Sequence, residues 1–254
     1  MQKVEFGNTG ITVSRLVFGT LTMGPWQANL PVPEGAKLLK EAYRLGIDLF
    51  DTAQAYNTYQ YFKEAFNKDT GFPHLMSRSY AVTYNQMKEA VMEAKTATGF
   101  PEILCFMLHE QESIMTLRGH KGALKFLQDA KKHGLIRSIG LSTHKPEGVL
   151  AAMEEDSIEV IFALLNLEGI GLDEGKFDEM LQSLKSASGL GKTVILMKVL
   201  AGGHLFKEVL PALEWARDLS FSPLIAVGMQ NIAEIKVNIS IMSGERPSPE
   251  ILEK

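Results

Sequence analysis

Four side chains able to move or hold protons stand at the ends of apolar runs in the first half of the chain. Asp51 ends IDLFD, Arg78 stands near the end of HLMSRSY, His109 ends ILCFMLH, and Tyr56 follows Asp51 by five residues in DTAQAY. A carboxylate, a cation, an imidazole and a phenol on one rim are the parts for a proton transfer to a carbonyl oxygen. A phenol, with a pKa of about 10, is a reluctant acid–base group at neutral pH. A neighbouring cation favours the phenolate, so Arg78 is expected to bring the Tyr56 pKa down. Each residue also has an ordinary structural use: Asp51 as the N-cap of the next helix, Tyr56 as a packed aromatic, His109 as a buried histidine. The regularity with which they end successive runs favours chemistry.

The elements that must position them recur at a steady period. Short β-rich runs begin near Arg15 (RLVFGT), Ile47 (IDLFDTA), His74 (HLMSRSY) and Ile103 (ILCFMLH), then near Ile136 (IRSIGLS), Glu159 (EVIFALLN), Thr193 (TVILMKV) and Pro223 (PLIAVG). The step is roughly 30 residues, enough for one strand, one helix and two loops. The segments between carry helical spacing, as at Ala36, Leu39 and Tyr43 and along Ala123, Leu124, Leu127 and Ala130. Gly46, Gly134 and Gly191 stand where these helices should stop. Unbroken apolar strands alternating with helices belong in a covered parallel sheet. Eight units predict a (β/α)₈ TIM barrel in one domain over residues 1–254. An open doubly wound sheet would need a G-x-G-x-x-G turn after the first strand, and GTLTMG has two glycines at the wrong spacing. Barrel sites form at the C-terminal strand ends, which are here Gly19 and Thr20, Asp51, Arg78, His109, Ser142 with Thr143 and His144, Asn166, Lys198 and Gly228.

Composition excludes several other functions. The 254 residues are 45% hydrophobic with 26 Lys and Arg against 30 Asp and Glu, a net charge of −4. With no Lys/Arg block, nucleic acid finds no electrostatic footprint. Cys105 is the one cysteine, so neither an intrachain disulfide nor a thiolate metal cluster is expected, and no metal site is assigned. MQKVEFGNTG lacks the apolar stretch of a signal peptide, and no run of about 18 apolar residues suggests a membrane span. A soluble, cytoplasmic protein is expected.

GTLTMG, GIDLFDTAQAY, FMLHE, IRSIGLST and IAVGMQNIAEIKVN resemble the aldo-keto reductases, from about residue 5 to about residue 240. The resemblance implies a (β/α)₈ barrel that reduces aldehydes or ketones with a nicotinamide cofactor held without a Rossmann fold. It implies a catalytic set of Asp51, Tyr56, His109 and a lysine at the third strand, with Tyr56 giving the proton while hydride passes to the carbonyl carbon. This chain has Arg78 at the lysine position. Arginine keeps the charge and can pair with Asp51, but it is bulkier, planar and always protonated, so impaired turnover is expected. The nicotinamide carboxamide grip implied by the family falls at Ser142, Thr143 and Phe162, where the usual Asn and Gln are missing, with Asn166 as partial compensation. Gly19 and Thr20 would line the cofactor site, and its pyrophosphate would lie along Leu200, Ala201, Gly202 and Gly203, where backbone N–H groups can approach. At the adenine end the resemblance points to Gly228, Met229, Gln230, Glu234 and Asn238. A carboxylate at Glu234 suits a ribose 2′-OH better than a 2′-phosphate, so NAD(H) is favoured over NADP(H), with Lys236 the nearby cation that argues the other way. Trp26 either lines the substrate pocket over the mouth or packs its own loop.

Other readings stay open. Lys198, ending a strand amid VILMKVL, could be a Schiff-base nucleophile of an aldolase. A nucleotide-binding barrel serving as a sensor or regulatory subunit would tolerate Arg78. His144, Lys145 and His120 read as loop residues. The final GERPSPEILEK stops short of the further helix and loop that relatives carry, and relatives sharing SYA-x-T and GMQ continue into an iron–sulfur segment that one cysteine cannot supply. An open pocket side is the expectation there.

Overall fold

The structure is a computed structural model that describes residues 1–247. The last part of GERPSPEILEK, on which the expectation of an open pocket side rests, lies outside the described residues. An antiparallel hairpin, β1 (Lys3–Glu5) and β2 (Thr12–Ser14), comes first. Eight parallel strands follow: β3 (Leu16–Gly19), β4 (Leu49–Asp51), β5 (His74–Ser79), β6 (Ile103–Leu108), β7 (Ile136–Thr143), β8 (Val160–Leu164), β9 (Thr193–Met197) and β10 (Leu224–Gly228). They close in sequence order, with β10 returning to β3 through the pairs Ile225 to Leu16 and Gly228 to Gly19. This is the (β/α)₈ barrel expected from the period.

The helices α1 (Val32–Arg44), α2 (Tyr59–Ala65), α3 (Tyr84–Thr98), α4 (Ile114–Gly119), α5 (Lys121–Lys132), α6 (Pro146–Glu154), α7 (Phe177–Gly189), α8 (Val209–Asp218) and α9 (Ile232–Met242) cover the outside. Their apolar stripes bury where spacing placed them, with Ala36 and Leu39 on α1 and Ala123, Leu124, Leu127 and Ala130 on α5 in the outer core. Gly46, Gly134 and Gly191 all adopt left-handed backbone, which lets the chain turn from helix to strand without a Cβ penalty. Among the described residues no helix is long and apolar enough to cross a membrane.

Strand alternation divides the sheet into two faces. Leu49, Met76, Met107, Phe162 and Met197 fill the barrel interior, while Phe50, Leu75, Phe106 and Leu196 pack outward under the helices. Asp51, Arg78 and His109 lie two residues beyond Leu49, Met76 and Met107, so the same pleat aims all three at the barrel axis. The hairpin was not expected from sequence. Its residues Phe6 and Val13 join the inner core, and a Cβ on Gly7 (φ +53°) would stand 2.7 Å from Thr193 Oγ1 at the start of β9. The hairpin therefore plugs the floor, opposite the rim that carries the ionisable groups.

Candidate active site

Arg78 is the hub. Its Nη1 donates to Asp51 Oδ1, its Nη2 donates to the Tyr56 hydroxyl at 2.6 Å, and its Nε donates to His109 Nε2 at 3.4 Å. All four residues are buried. Two aromatic rings face the guanidinium, with Cζ 4.7 Å from the Phe162 centroid and 5.1 Å from that of Tyr56. Asp51 ends β4, and Tyr56 stands in the short helical turn Gln54–Tyr56 that follows. Asp51 caps no helix: Thr58 stands at the N-cap of α2, and the carboxylate is taken by Arg78.

Electrostatics at this hub differ from the expectation in one respect. Burial raises the Tyr56 pKa, and the Arg78 charge only partly offsets it, so the net direction is upward. The phenol stays protonated at neutral pH. Burial also pushes the Asp51 carboxyl up against the pull of Arg78. Burial opposes the Arg78 charge, yet Asp51 and Tyr56 hold the guanidinium protonated. His109 is driven down to about 2 by burial and then by the Arg78 charge, so its imidazole is neutral.

Tyr80, which sequence reasoning passed over, stacks on His109 with ring centroids 4.0 Å apart and an interplanar angle of 17°. Its hydroxyl donates to Glu110 Oε2 at 2.6 Å. It lies two residues beyond Arg78 and so on the same face, and that parity was the signal that could have found it. Trp26, 63% exposed, meets Tyr56 edge-on at 5.9 Å, while Tyr80 is 48% exposed above His109. Two aromatic walls thus flank the mouth. Lys198 leaves β9 in left-handed backbone (φ +55°) and is exposed there, though surrounding protein lowers its pKa; it forms no ion pair among the described residues. His144 faces Glu110 at 3.7 Å and is lowered to about 4 by burial and by Lys198. His120 joins α4 to α5, its Nδ1 on Thr116 O at 2.8 Å, and Lys145 stands 3.9 Å from Glu112.

The remaining sequence-assigned positions divide into open and occupied ones. Gly19 ends β3, and Thr20 is buried with its hydroxyl on Asp51 O at 3.0 Å. Ser142 Oγ accepts from Glu110 N at 2.9 Å. The Thr143 hydroxyl is turned to its own loop, on Lys145 O at 3.1 Å, and the Asn166 amide closes the loop onto both the N–H and the C=O of Ile170. Neither of these side chains is free to replace the missing Asn and Gln. Ala201, Gly202 and Gly203 are left-handed in the turn after Leu200, with open space where Cβ atoms on the glycines would stand. Gly228 ends β10 against Thr22, Met229 is buried, and Gln230 Nε2 reaches Thr22 O at 3.3 Å. Glu234 accepts from Gln230 N at 2.8 Å and from Asn231 Nδ2 at 2.7 Å, while its own N–H donates to Asn231 Oδ1. This is a reciprocal cap on α9 that sets a carboxylate at the helix N-terminus. Asn238 is buried one turn further along.

Comparison with known proteins places the barrel in a family. The model of the aldo/keto reductase family matches residues 15–218, and the chain belongs to that family. Among solved structures, a Pseudomonas aeruginosa protein described as an aldo-keto reductase superposes with a TM-score of 0.81 at 22% identity, covering 95% of each chain. An aldo-keto reductase from Bacillus halodurans in its holo form gives 0.76 at 19% identity, covering all of this chain and 94% of the other. At such identities these two likenesses show the fold. The NADH-specific methylglyoxal reductase of Escherichia coli is 40% identical over 60 residues, 22% of this chain and 18% of that protein. Family membership supports an oxidoreductase role, in a family that uses nicotinamide cofactors on small carbonyl compounds.

Proposed function

We propose that the chain reduces a small aldehyde or ketone to the alcohol with NAD(P)H, Tyr56 giving the proton. The observation that carries this reading is the direction of the hydrogen bonds at the hub. The Tyr56 oxygen accepts from Arg78 Nη2, so its own proton is free for a substrate oxygen at the mouth. A raised Tyr56 pKa keeps that proton in place until transfer, and the adjacent guanidinium stabilises the phenolate as it forms. Asp51 holds Arg78, and Trp26 and Tyr80 wall the space in which a carbonyl compound would lie.

The residues present fit a nicotinamide dinucleotide. The bare, left-handed turn Ala201–Gly203 gives a pyrophosphate a side-chain-free approach, and Gly19 and Gly228 keep the strand ends low. When bound, the reduced nicotinamide supplies the hydride. At the adenine end the Glu234 carboxylate already holds the α9 N-terminus, where a 2′-phosphate would meet like charge, and this supports NADH over NADPH. With Thr143 turned into its own loop, Ser142 alone offers a carboxamide grip, weaker than the family's amides.

Thermal unfolding with excess NADH or NADPH, followed by turnover of methylglyoxal with the preferred cofactor, tests the reading. A ligand at a hundred times its dissociation constant adds about 2.7 kcal/mol. An upward shift with NADH and consumption of NADH by methylglyoxal are expected. No shift with either cofactor, and no turnover of any aldehyde, would instead favour a regulatory barrel. The lowered pKa of Lys198 at the mouth favours one second reading, a Schiff-base aldolase, which borohydride trapping with a carbonyl compound would reveal.

A further inference from the structure

Arg78 does more at this site than replace one cation by another. A lysine ammonium carries its donors on one freely rotating atom, whereas a guanidinium sends them out in fixed coplanar directions. Here three of those directions are taken by Asp51, Tyr56 and His109. Phe162, which reaches into the barrel from β8, puts its ring 4.7 Å from Cζ, so the plane of the guanidinium is held against an aromatic face. The third direction, Nε to His109 Nε2, has a consequence for the imidazole. An arginine Nε–H can only donate, and a neutral imidazole has one N–H and one lone pair.

We propose that Arg78, seated by Phe162, is a positioning residue that fixes His109 in the tautomer with its proton on Nδ1 and its Nε2 lone pair toward the guanidinium. The other tautomer would set two N–H groups against each other in a buried place, a mismatch that shifts populations by roughly tenfold or more. The Tyr80 ring stacked on His109 keeps the imidazole plane in register with Nε. Nδ1 is buried without a hydrogen-bond partner among the described residues, which leaves a single N–H donor on that edge of the ring. The consequence rests on the reductase reading: with Nε2 engaged, the substrate oxygen takes its proton from Tyr56, and His109 Nε2 donates nothing to it. A lysine at position 78 would leave the imidazole free to choose.

The tautomer can be read directly, without substrate or cofactor, from long-range proton–nitrogen correlations of isotope-labelled histidine. The chain has six histidines, and the signal missing in His109→Asn identifies the one of interest. The wild-type protein is expected to show the Nδ1–H pattern, unchanged between about pH 5 and about pH 8. Arg78→Lys is expected to move the population toward Nε2–H, and Phe162→Leu to give a mixture. A predominant Nε2–H pattern in the wild-type protein overturns the proposal, and so does the same tautomer in wild type and Arg78→Lys. Should Arg78→Lys not fold, judged by circular dichroism, the wild-type spectrum still decides. Absence of turnover would sink the reductase reading and leave this result standing.

Discussion

At the floor of the barrel, several charged side chains are tied to backbone, although Asp48 also pairs with Lys3 and Glu159 with Lys131. Asp48 accepts from Ser14 N at 2.6 Å, Arg15 donates to Pro223 O and Arg217 O, and Lys192 donates to Glu155 O and Ile158 O. At the mouth, charged and titratable side chains meet one another: Arg78 binds Asp51, Tyr56 and His109, and Glu110 meets Tyr80 and His144. Backbone partners are fixed by the fold, so these floor contacts serve as a closure. Side-chain partners can exchange protons and reorient, and among the described residues the mouth keeps His109 Nδ1 without a hydrogen-bond partner and Lys198 outside any ion pair. The contrast separates where this chain spends polarity on stability from where it keeps polarity available.

The strongest way to break that contrast is at Tyr56. Tyr56→Phe should cost about 10²- to 10⁴-fold in kcat while the chain still melts cooperatively, measured by methylglyoxal turnover and calorimetry. A Phe variant with wild-type rate would remove Tyr56 from the chemistry. Asp51→Ala leaves a buried guanidinium without its counter-ion, and a loss of about 3–5 kcal/mol of stability is expected in denaturant titration. If that variant is as stable as wild type, the pair is not the mouth's structural charge.

The pH response should be carried by the mouth. His109 sits at about 2 in the folded chain against about 6.5 unfolded, so below neutrality the unfolded state takes a proton that the folded state refuses. This contribution to stability is intact above the unfolded value and falls as pH drops toward the folded one, by about 2 kcal/mol on going from about pH 7 to about pH 5. In His109→Asn that slope should flatten; an unchanged slope would show that His109 titrates normally. The floor gives the matching control, since Asp48→Ala removes both the acceptor of Ser14 N and the partner of Lys3 and should cost about 1–2 kcal/mol. Turnover per folded molecule should then equal wild type, and a rate loss would mean the two ends are coupled. The smallest effect expected is at Arg78→Lys, a rise in turnover of roughly a few-fold, under 1 kcal/mol in barrier. Unchanged or lower activity would mean that arginine is the fitted cation at this mouth.

The strands were legible because each is an apolar run of the right length, and their parity carried Asp51, Arg78 and His109 to one rim. Parity would have brought Tyr80 with them had it been followed one step past Arg78. The hairpin was not legible: KVE and TVS are three residues each, too short for a period to register. Thr143 and Asn166 were legible as polar strand ends, yet both bond within their own loops, and such local turns compete with ligand contacts in ways that spacing does not reveal. The Tyr56 pKa ran opposite to expectation because a sequence shows the neighbouring charge and hides the depth of burial.

Arg15 ties the ends of the barrel across 208 residues, through its bond to Pro223 O and through Ile225 N, which donates to Arg15 O. During synthesis, at about 5–20 residues per second, β3 must wait on the order of 10–40 s before β10 leaves the ribosome. Through that interval the free edge of β3 offers unpaired backbone to any other strand. The chain's period of greatest exposure to misassembly is thus set by translation speed, and slowing the ribosome between β9 and β10 lengthens it without altering a single native contact.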